Sequence, residues 1–383
     1  MYLSKEEEKL LESDNETIRK AMEILVAIGK IFDADRLIPV KSVQISGISY
    51  KNIGDAGLEW FESLNAKFVI KAMINPAGMD VIRWKEMGID EGFYRKQMRI
   101  INALIRLGAD KTLTCTPYYF DSLKKGDHVA WAESNAIVYA NSILGVRTNR
   151  ESGISALASG IIGKTPNYGL HVKKNRSPTV IVDVKAEINS SADLAMLGYS
   201  VGEKLSNSIP YFIFRNSIER EWLKDLGAVL AAKGNTALFH AEGLTPEYGD
   251  FEIDSLEREV IDELEEIEFD CEPDLIAIGC PHLSSSELRQ IADLLFRNDK
   301  KVRKDVWLFT SRRVLEENED VARKIESYGV KVFADTCMVV SPATENYECV
   351  MVNSGKALTY LPKHAGVMVK FGDIKECIKE AYR

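Results

Sequence analysis

Three cysteines stand where strands should deliver side chains to a site. Cys115 follows Lys-Thr-Leu-Thr, Cys280 follows Leu-Ile-Ala-Ile-Gly, and Cys337 follows Val-Phe-Ala-Asp-Thr. In open parallel sheets, ligands collect beyond the carboxyl ends of the strands. Pro117 and Pro281 lie just after two of these cysteines, where proline is expected to stop the strand and fix the exit of the loop. The three are far apart in sequence and no CxxC occurs, so zinc-ribbon and thioredoxin chemistries lose support. Three thiolates gathered by folding suit a soft site such as an iron–sulfur cluster, and three protein ligands leave one metal position open. Taken singly, a strand-end cysteine is more often buried packing than a ligand. Cys271, Cys349 and Cys377 read as structural.

Polar segments occupy other strand-to-helix corners. Ser46-Gly47-Ile48-Ser49-Tyr50 precedes a helical stretch, so its backbone N–H groups could face an anion; an ordinary glycine turn is the competing reading. Asn75-Pro76-Ala77-Gly78 follows a strand and could be a plain turn. Glu133-Ser134-Asn135 ends another strand; Ser134 could be an N-cap, or the carboxylate could serve as an acid/base or substrate contact. Asn353-Ser354-Gly355-Lys356 lacks the glycine spacing of a P-loop, which rejects nucleotide binding, but Lys356 could hold an anion as a point charge. His240 and His282 read as satisfied core or loop histidines.

The elements that must position these groups are legible in outline. The chain has 383 residues, enough for two or three lobes, with 45% hydrophobic and 28% charged residues. Its formal charge of -9 excludes the basic stripe that a nucleic-acid binder needs. No stretch reads as a membrane span or secretory signal, so a cytoplasmic protein with reduced thiols is expected, and disulfides are not. Ser4 with Glu7, and Ser284 with Glu287, read as capping boxes. From Val43 onward, β-branched runs alternate with amphipathic helical stretches, which predicts parallel sheets covered by helices. Strands are expected at Val43–Ile45, Phe68–Met73, Lys111–Thr114 and Val129–Ala132, with a helix over Asn135–Leu144. Val180–Val184 begins a smaller set. A third set runs Ala237–His240, Leu275–Gly279, Val306–Thr310 and Val332–Ala334. The expected lobes are 1–165 (N-terminal helices and a first α/β lobe), 166–235 (a small middle α/β lobe) and 236–383 (a C-terminal α/β lobe).

The motifs taken together resemble the aconitase X family. Ser46-Gly47-Ile48-Ser49-Tyr50, Ile53-Gly54-Asp55-Ala56-Gly57, Asn75-Pro76-Ala77-Gly78-Met79-Asp80, Cys115-Thr116-Pro117-Tyr118 and Trp131-Ala132-Glu133-Ser134-Asn135-Ala136 come in that family's order. So do Tyr139-Ala140-Asn141-Ser142, Gly279-Cys280-Pro281-His282, Asp335-Thr336-Cys337 and Asn353-Ser354-Gly355-Lys356-Ala357. The resemblance covers roughly Val43 to Tyr360. Each motif is weak alone, and the ordered set is specific.

That resemblance implies an aconitase-like fold, with several α/β/α lobes and mainly parallel sheets around a metal site. It implies Cys115, Cys280 and Cys337 as ligands of a 4Fe-4S cluster, with a 2Fe-2S cluster or a single iron as alternatives. It carries substrate contact to Gly47, Ile48, Ser49, Asn75, Pro76, Glu133, Ser134 and Lys356, and places Glu133 and Ser134 in the catalytic set. The implied activity is a hydro-lyase of the archaeal mevalonate pathway, dehydrating (R)-5-phosphomevalonate to trans-anhydromevalonate 5-phosphate. Another hydroxy acid such as cis-3-hydroxy-L-proline is the alternative substrate. Too little chain follows Tyr360 for the superfamily's swivelling domain, so a separate small subunit supplying a catalytic serine is expected. Two readings of other classes stand beside this: a zinc or thiol enzyme using the same cysteines, and a non-catalytic partner of the small subunit.

Overall fold

The structure is a computed structural model that describes residues 1–265, 267, 269–298 and 300–383. Its sheets are mainly parallel. In the first lobe, β1 (Leu37–Pro39) pairs antiparallel with β5 (Lys164–Pro166), while β2 (Ser42–Ile45) lies between β3 (Lys71–Ile74) and β4 (Ala130–Trp131), parallel to both. The middle sheet is parallel, in the order β8 (His240–Ala241), β7 (Pro210–Phe214), β6 (Val180–Val184), β9 (Arg258–Ile261). The last sheet is also parallel, in the order β12 (Lys331–Ala334), β11 (Asp305–Thr310), β10 (Leu275–Leu283), β13 (Cys349–Val352), β14 (Met368–Phe371). Strands buried on both faces read as continuous apolar runs rather than alternations, and every residue of β10 is buried.

Helices cover these sheets because their apolar stripes match the cores. Helix Glu16–Ile31 turns Ala21, Met22 and Leu25 into the first core against Val43 and Ile45. The boxes at Ser4/Glu7 and Ser284/Glu287 form as read, each side chain accepting a backbone N–H of the other's turn. Met79, Met87 and Ile89 of the first lobe join the core formed by one face of the last sheet, with Phe309, Phe333 and Met338. Beside that seam, Asp80 accepts from Arg312 at 2.8 Å and from the Ala334 N–H at 2.8 Å, and Ala77 N–H donates to the Asp335 carbonyl at 2.8 Å. Arg312 also bonds Asp335. The first and last lobes are thus locked together where β12 ends.

Four local expectations need correction. Lys111–Thr114 is not a strand: Leu113 has φ 43, and the Thr112 hydroxyl, not a backbone carbonyl, takes the Ile74 N–H at 2.9 Å. Asn135–Leu144 splits into a short α-helix, Ser134–Val138, and π-type turns over Tyr139–Leu144. The Ala237–His240 strand does not open the last lobe. Helix Leu223–Lys233 crosses over from β7, so the strand that follows becomes β8, the parallel neighbour of β7, and the middle sheet extends past residue 235. Finally, Cys271 and Cys349 form a disulfide, their Cα atoms 6.1 Å apart, against the expectation of reduced thiols throughout. Among the described residues no helix is long and apolar enough to cross a membrane.

Candidate active site

Each of the three strand-end cysteines reaches one cleft by a different local device. Cys115 follows an irregular segment laid along β3, whose Thr114 N–H donates to the Ile74 carbonyl at 3.1 Å. Cys280 sits in a bulge of β10. Pro281 does not end that strand, as expected from sequence: the pairing with β11 breaks after Ile278 and resumes at Leu283. Gly279 makes the bulge possible, since its φ is +117° and a Cβ there would lie 2.3 Å from the Phe309 carbonyl oxygen. Cys337 follows β12 and the left-handed Asp335, φ 67, and its sulfur faces the backbone amides of Val339 and Val340.

The cleft holds about 230 Å³. Cys115, Cys280 and Cys337 line it together with Gly47, Ile48, Ser49, Asn75, Pro76, Glu133, Ser134 and Lys356, so every residue to which the resemblance gave a metal or substrate role comes to one place. All three thiols are free and buried. Burial pushes each above its usual range, Cys280 to about 12, while the nearby Lys356 ammonium pulls all three down. The Cys115 sulfur also accepts the His282 N–H at 3.2 Å.

One polar network connects the lobes across the cleft. Lys356 bonds the Glu133 carboxylate and donates to Asn135 Oδ1 at 2.9 Å. Asn75 donates to the other Glu133 oxygen at 2.6 Å, and the Ser134 hydroxyl donates to Glu133 at 3.4 Å. Burial opposes ionisation of Glu133, but Lys356 and these donors win and hold it below the usual carboxylate range. Glu133 in turn holds Lys356 protonated, raising its pKa against the burial. The arrangement is an ionised, pre-oriented pair.

Further residues support the site, and two of them, Gln44 and Gln97, were not picked out from sequence. Gln44 donates to Asn75 Oδ1 at 3.0 Å and to the Thr114 carbonyl at 3.2 Å, and accepts the Glu133 N–H at 2.9 Å. Asn135 donates to the Cys115 carbonyl at 2.8 Å. Gln97 accepts the N–H groups of Tyr50 and Gly78 and donates to the Ile48 carbonyl at 2.8 Å, pinning two site loops together. The signal for Gln44 was a polar side chain inside the strand run Ser-Val-Gln-Ile; Gln97, in Arg-Lys-Gln-Met-Arg, carried none. His282 is a satisfied core histidine beside the site. Its Nε2 faces the Thr336 carbonyl at 2.7 Å and so carries the proton, its Nδ1 lies 3.0 Å from the Thr114 hydroxyl, and burial lowers its pKa to about 4. His240 is buried in the middle lobe with Nε2 against the Arg176 carbonyl at 2.8 Å, outside the cleft.

The donor set fits an iron–sulfur centre. The thiols are soft, and the cationic Lys356 offsets the cost of ionising them together. Among the described residues no three His, Cys, Asp or Glu side chains crowd one point as the ligands of a single ion would. A 4Fe-4S cluster makes no such demand, because each of its irons takes a single thiolate.

Comparison with known proteins agrees with this geometry. The models of the aconitase X first, second and third domains match residues 1–174, 178–272 and 273–383. A Methanosarcina mazei protein named phosphomevalonate dehydratase large subunit is 49% identical over 100% of this chain and 97% of its own length. A protein of the same name from Thermococcus kodakarensis is 45% identical over the full length of both. The crystal structure of Thermococcus kodakaraensis aconitase X in its holo form superposes with a TM-score of 0.93, at 44% identity and full coverage of both chains. The chain therefore belongs to the aconitase X family.

Proposed function

We propose that this protein is the large, cluster-bearing subunit of a hydro-lyase that dehydrates (R)-5-phosphomevalonate to trans-anhydromevalonate 5-phosphate. The observation that carries the reading is the single cleft in which three free thiols face an ionised Lys356–Glu133 pair. The names of its full-length relatives specify the substrate.

Cys115, Cys280 and Cys337 would hold a 4Fe-4S cluster, the type that leaves one iron without a protein ligand. Bound there, it would supply a Lewis acid for the departing hydroxyl. The chain's own groups bind and orient the substrate. The amides of Gly47, Ile48 and Ser49 present N–H donors to the substrate carboxylate, a loop held in place by Gln97 and by the Ser49 hydroxyl donating to the Val340 carbonyl at 2.8 Å. Asn75 and Pro76 wall the same end. Because Glu133 is held ionised, it acts as an acceptor that orients a substrate hydroxyl, with Ser134 beside it, and not as a proton donor. Lys356 fixes that carboxylate and balances the negative charge of thiolates and substrate.

The proton on the carbon next to the carboxylate needs a base, which we assign to a serine of a small swivelling subunit; the relatives are named as large subunits. We place the complex in the cytoplasm, where the three free thiols stay reduced. The test is to purify the chain with its small subunit without oxygen, add 5-phosphomevalonate and follow loss of water by mass spectrometry. A dehydrated phosphate ester supports the reading. Turnover of cis-3-hydroxy-L-proline with none of 5-phosphomevalonate overturns it.

A further inference from the structure

The cleft has an inner end and a mouth, and one helix marks the distance between them. Lys356, Tyr360 and His364 follow one another at four-residue intervals along helix Gly355–His364, and all three line the cleft. Lys356 is buried at the cysteine end and its Nζ lies 5.9 Å from the centre of the Tyr360 ring; His364 is exposed, its ring packed edge-on against Tyr360 at 5.6 Å. Eight residues of helix span about 12 Å. That is longer than a carboxylate and its neighbouring hydroxyl carbon require, so the outer part of the cleft is left for another portion of the substrate.

Arg150 borders this cleft without lining its inner wall. The residues around it fix its position: the Glu151 N–H donates to the Trp131 carbonyl at 3.3 Å, just before the cleft residues Ala132 and Glu133. Gly153 presses on Ser46, another cleft residue, so closely that a Cβ there would lie 2.3 Å from the Ser46 carbonyl oxygen. Arg150 makes a single hydrogen bond, from Nη1 to the Ala231 carbonyl at 3.1 Å, and among the described residues it has no salt-bridge partner. Partial burial lowers its pKa, and the groups that work against this and favour its charge are Tyr360 and Glu133, both in the cleft wall. Glu133 is already taken by Lys356. The guanidinium is thus an exposed cation with most of its donors free.

We propose that Arg150, with Tyr360 and His364 beside it, forms a subsite for the phosphate monoester at the far end of the substrate. This rests on the substrate reading given above. A guanidinium fork matches the oxygens of a phosphate and binds them more strongly than a neutral donor would. The Tyr360 hydroxyl and the His364 ring, both on the cleft wall, add donors. With the carboxylate on the Gly47–Ser49 amides, the phosphate arm runs outward along helix Gly355–His364, and the reacting carbons stay at the cysteine end. Arg150 then selects phosphorylated hydroxy acids without touching the bond that breaks.

The experiment compares the wild-type complex, reconstituted with its small subunit, with Arg150→Met and Arg150→Lys. Arg150→Met is expected to raise KM for 5-phosphomevalonate about 10- to 100-fold, the loss of one charge-assisted contact, with kcat little changed and iron-derived absorbance intact. Inorganic phosphate should compete with substrate in the wild type and lose potency by a similar factor in Arg150→Met; Arg150→Lys should fall between the two. Unchanged KM and unchanged phosphate inhibition in Arg150→Met overturn the proposal. If that variant does not take up iron, a wild-type KM in Arg150→Lys overturns it instead. Should the wild type fail to turn over 5-phosphomevalonate, the substrate reading falls, and calorimetric binding of inorganic phosphate to wild type and Arg150→Met still decides the subsite: weaker binding by the variant supports it and equal binding overturns it.

Discussion

Lys356 and Glu133, one from the last lobe and one from the first, form an ion pair at the floor of the cleft, with Lys356 buried and Glu133 half-buried. Little water reaches either charge, so each depends on the other. Lys356→Met strands the carboxylate and is expected to destabilise the chain by about 3–5 kcal/mol, as read by urea denaturation, and to abolish dehydration. The double variant Lys356→Met/Glu133→Gln should recover part of the stability and none of the activity. Equal stability of the single variant and wild type would contradict the pairing.

The bulge that presents Cys280 predicts a second outcome. Gly279→Ala forces a Cβ into the Phe309 carbonyl at a left-handed φ, which should cost on the order of 1–3 kcal/mol. The same shift moves Cys280, so iron uptake should fall along with stability. A variant as stable as wild type that binds iron normally would show the bulge to be dispensable.

Stability should also fall in mild acid. His171 is buried beside His128, Nδ1 to Nδ1 at 2.9 Å, and burial lowers its pKa to about 3 from an ordinary 6.5. A lowered value means that the unfolded chain takes up a proton that the folded chain refuses. The contribution is therefore fully present above pH ~6.5 and is lost progressively as pH falls toward ~3, by about 1.4 kcal/mol per pH unit. In urea titrations between pH 7 and pH 5, His171→Gln should flatten that slope; an unchanged slope would assign the acid sensitivity elsewhere.

The seam between the first and last lobes gives a fourth. Asp80 is buried and takes Arg312 and the Ala334 N–H. Arg312→Met should destabilise by about 3–5 kcal/mol and loosen the segment that carries Cys337. Hydrogen exchange over residues 331–341 should rise; exchange at the wild-type rate would argue against the lock.

The sequence made the parallel sheets and the cleft residues legible for one reason: strand ends in such sheets converge, and the ordered motifs lie there. Local geometry was less visible. Nothing in Lys-Thr-Leu-Thr shows that Thr112 uses its hydroxyl where a strand would use its carbonyl. Pro281 reads as a strand stop, yet Gly279 lets β10 bulge and rejoin its neighbour. The Cys271–Cys349 bridge joins residues distant in sequence, and only their approach in space reveals it. Gln44 and Gln97 were passed over because a buried amide shows its purpose only when its partners are placed.

The central claim is that Cys115, Cys280 and Cys337 together hold the iron–sulfur centre that makes this chain a dehydratase. It is tested most directly by iron and sulfide analysis with visible absorbance on the anaerobically reconstituted wild type and on Cys115→Ser, Cys280→Ser, Cys337→Ser and Cys377→Ser. Cys377 is free and buried as well, but it packs under the last sheet, away from the cleft. The account predicts that the first three substitutions each lose the absorbance and the turnover of 5-phosphomevalonate, while Cys377→Ser keeps both. Wild-type iron content and turnover in any one of the first three would contradict it.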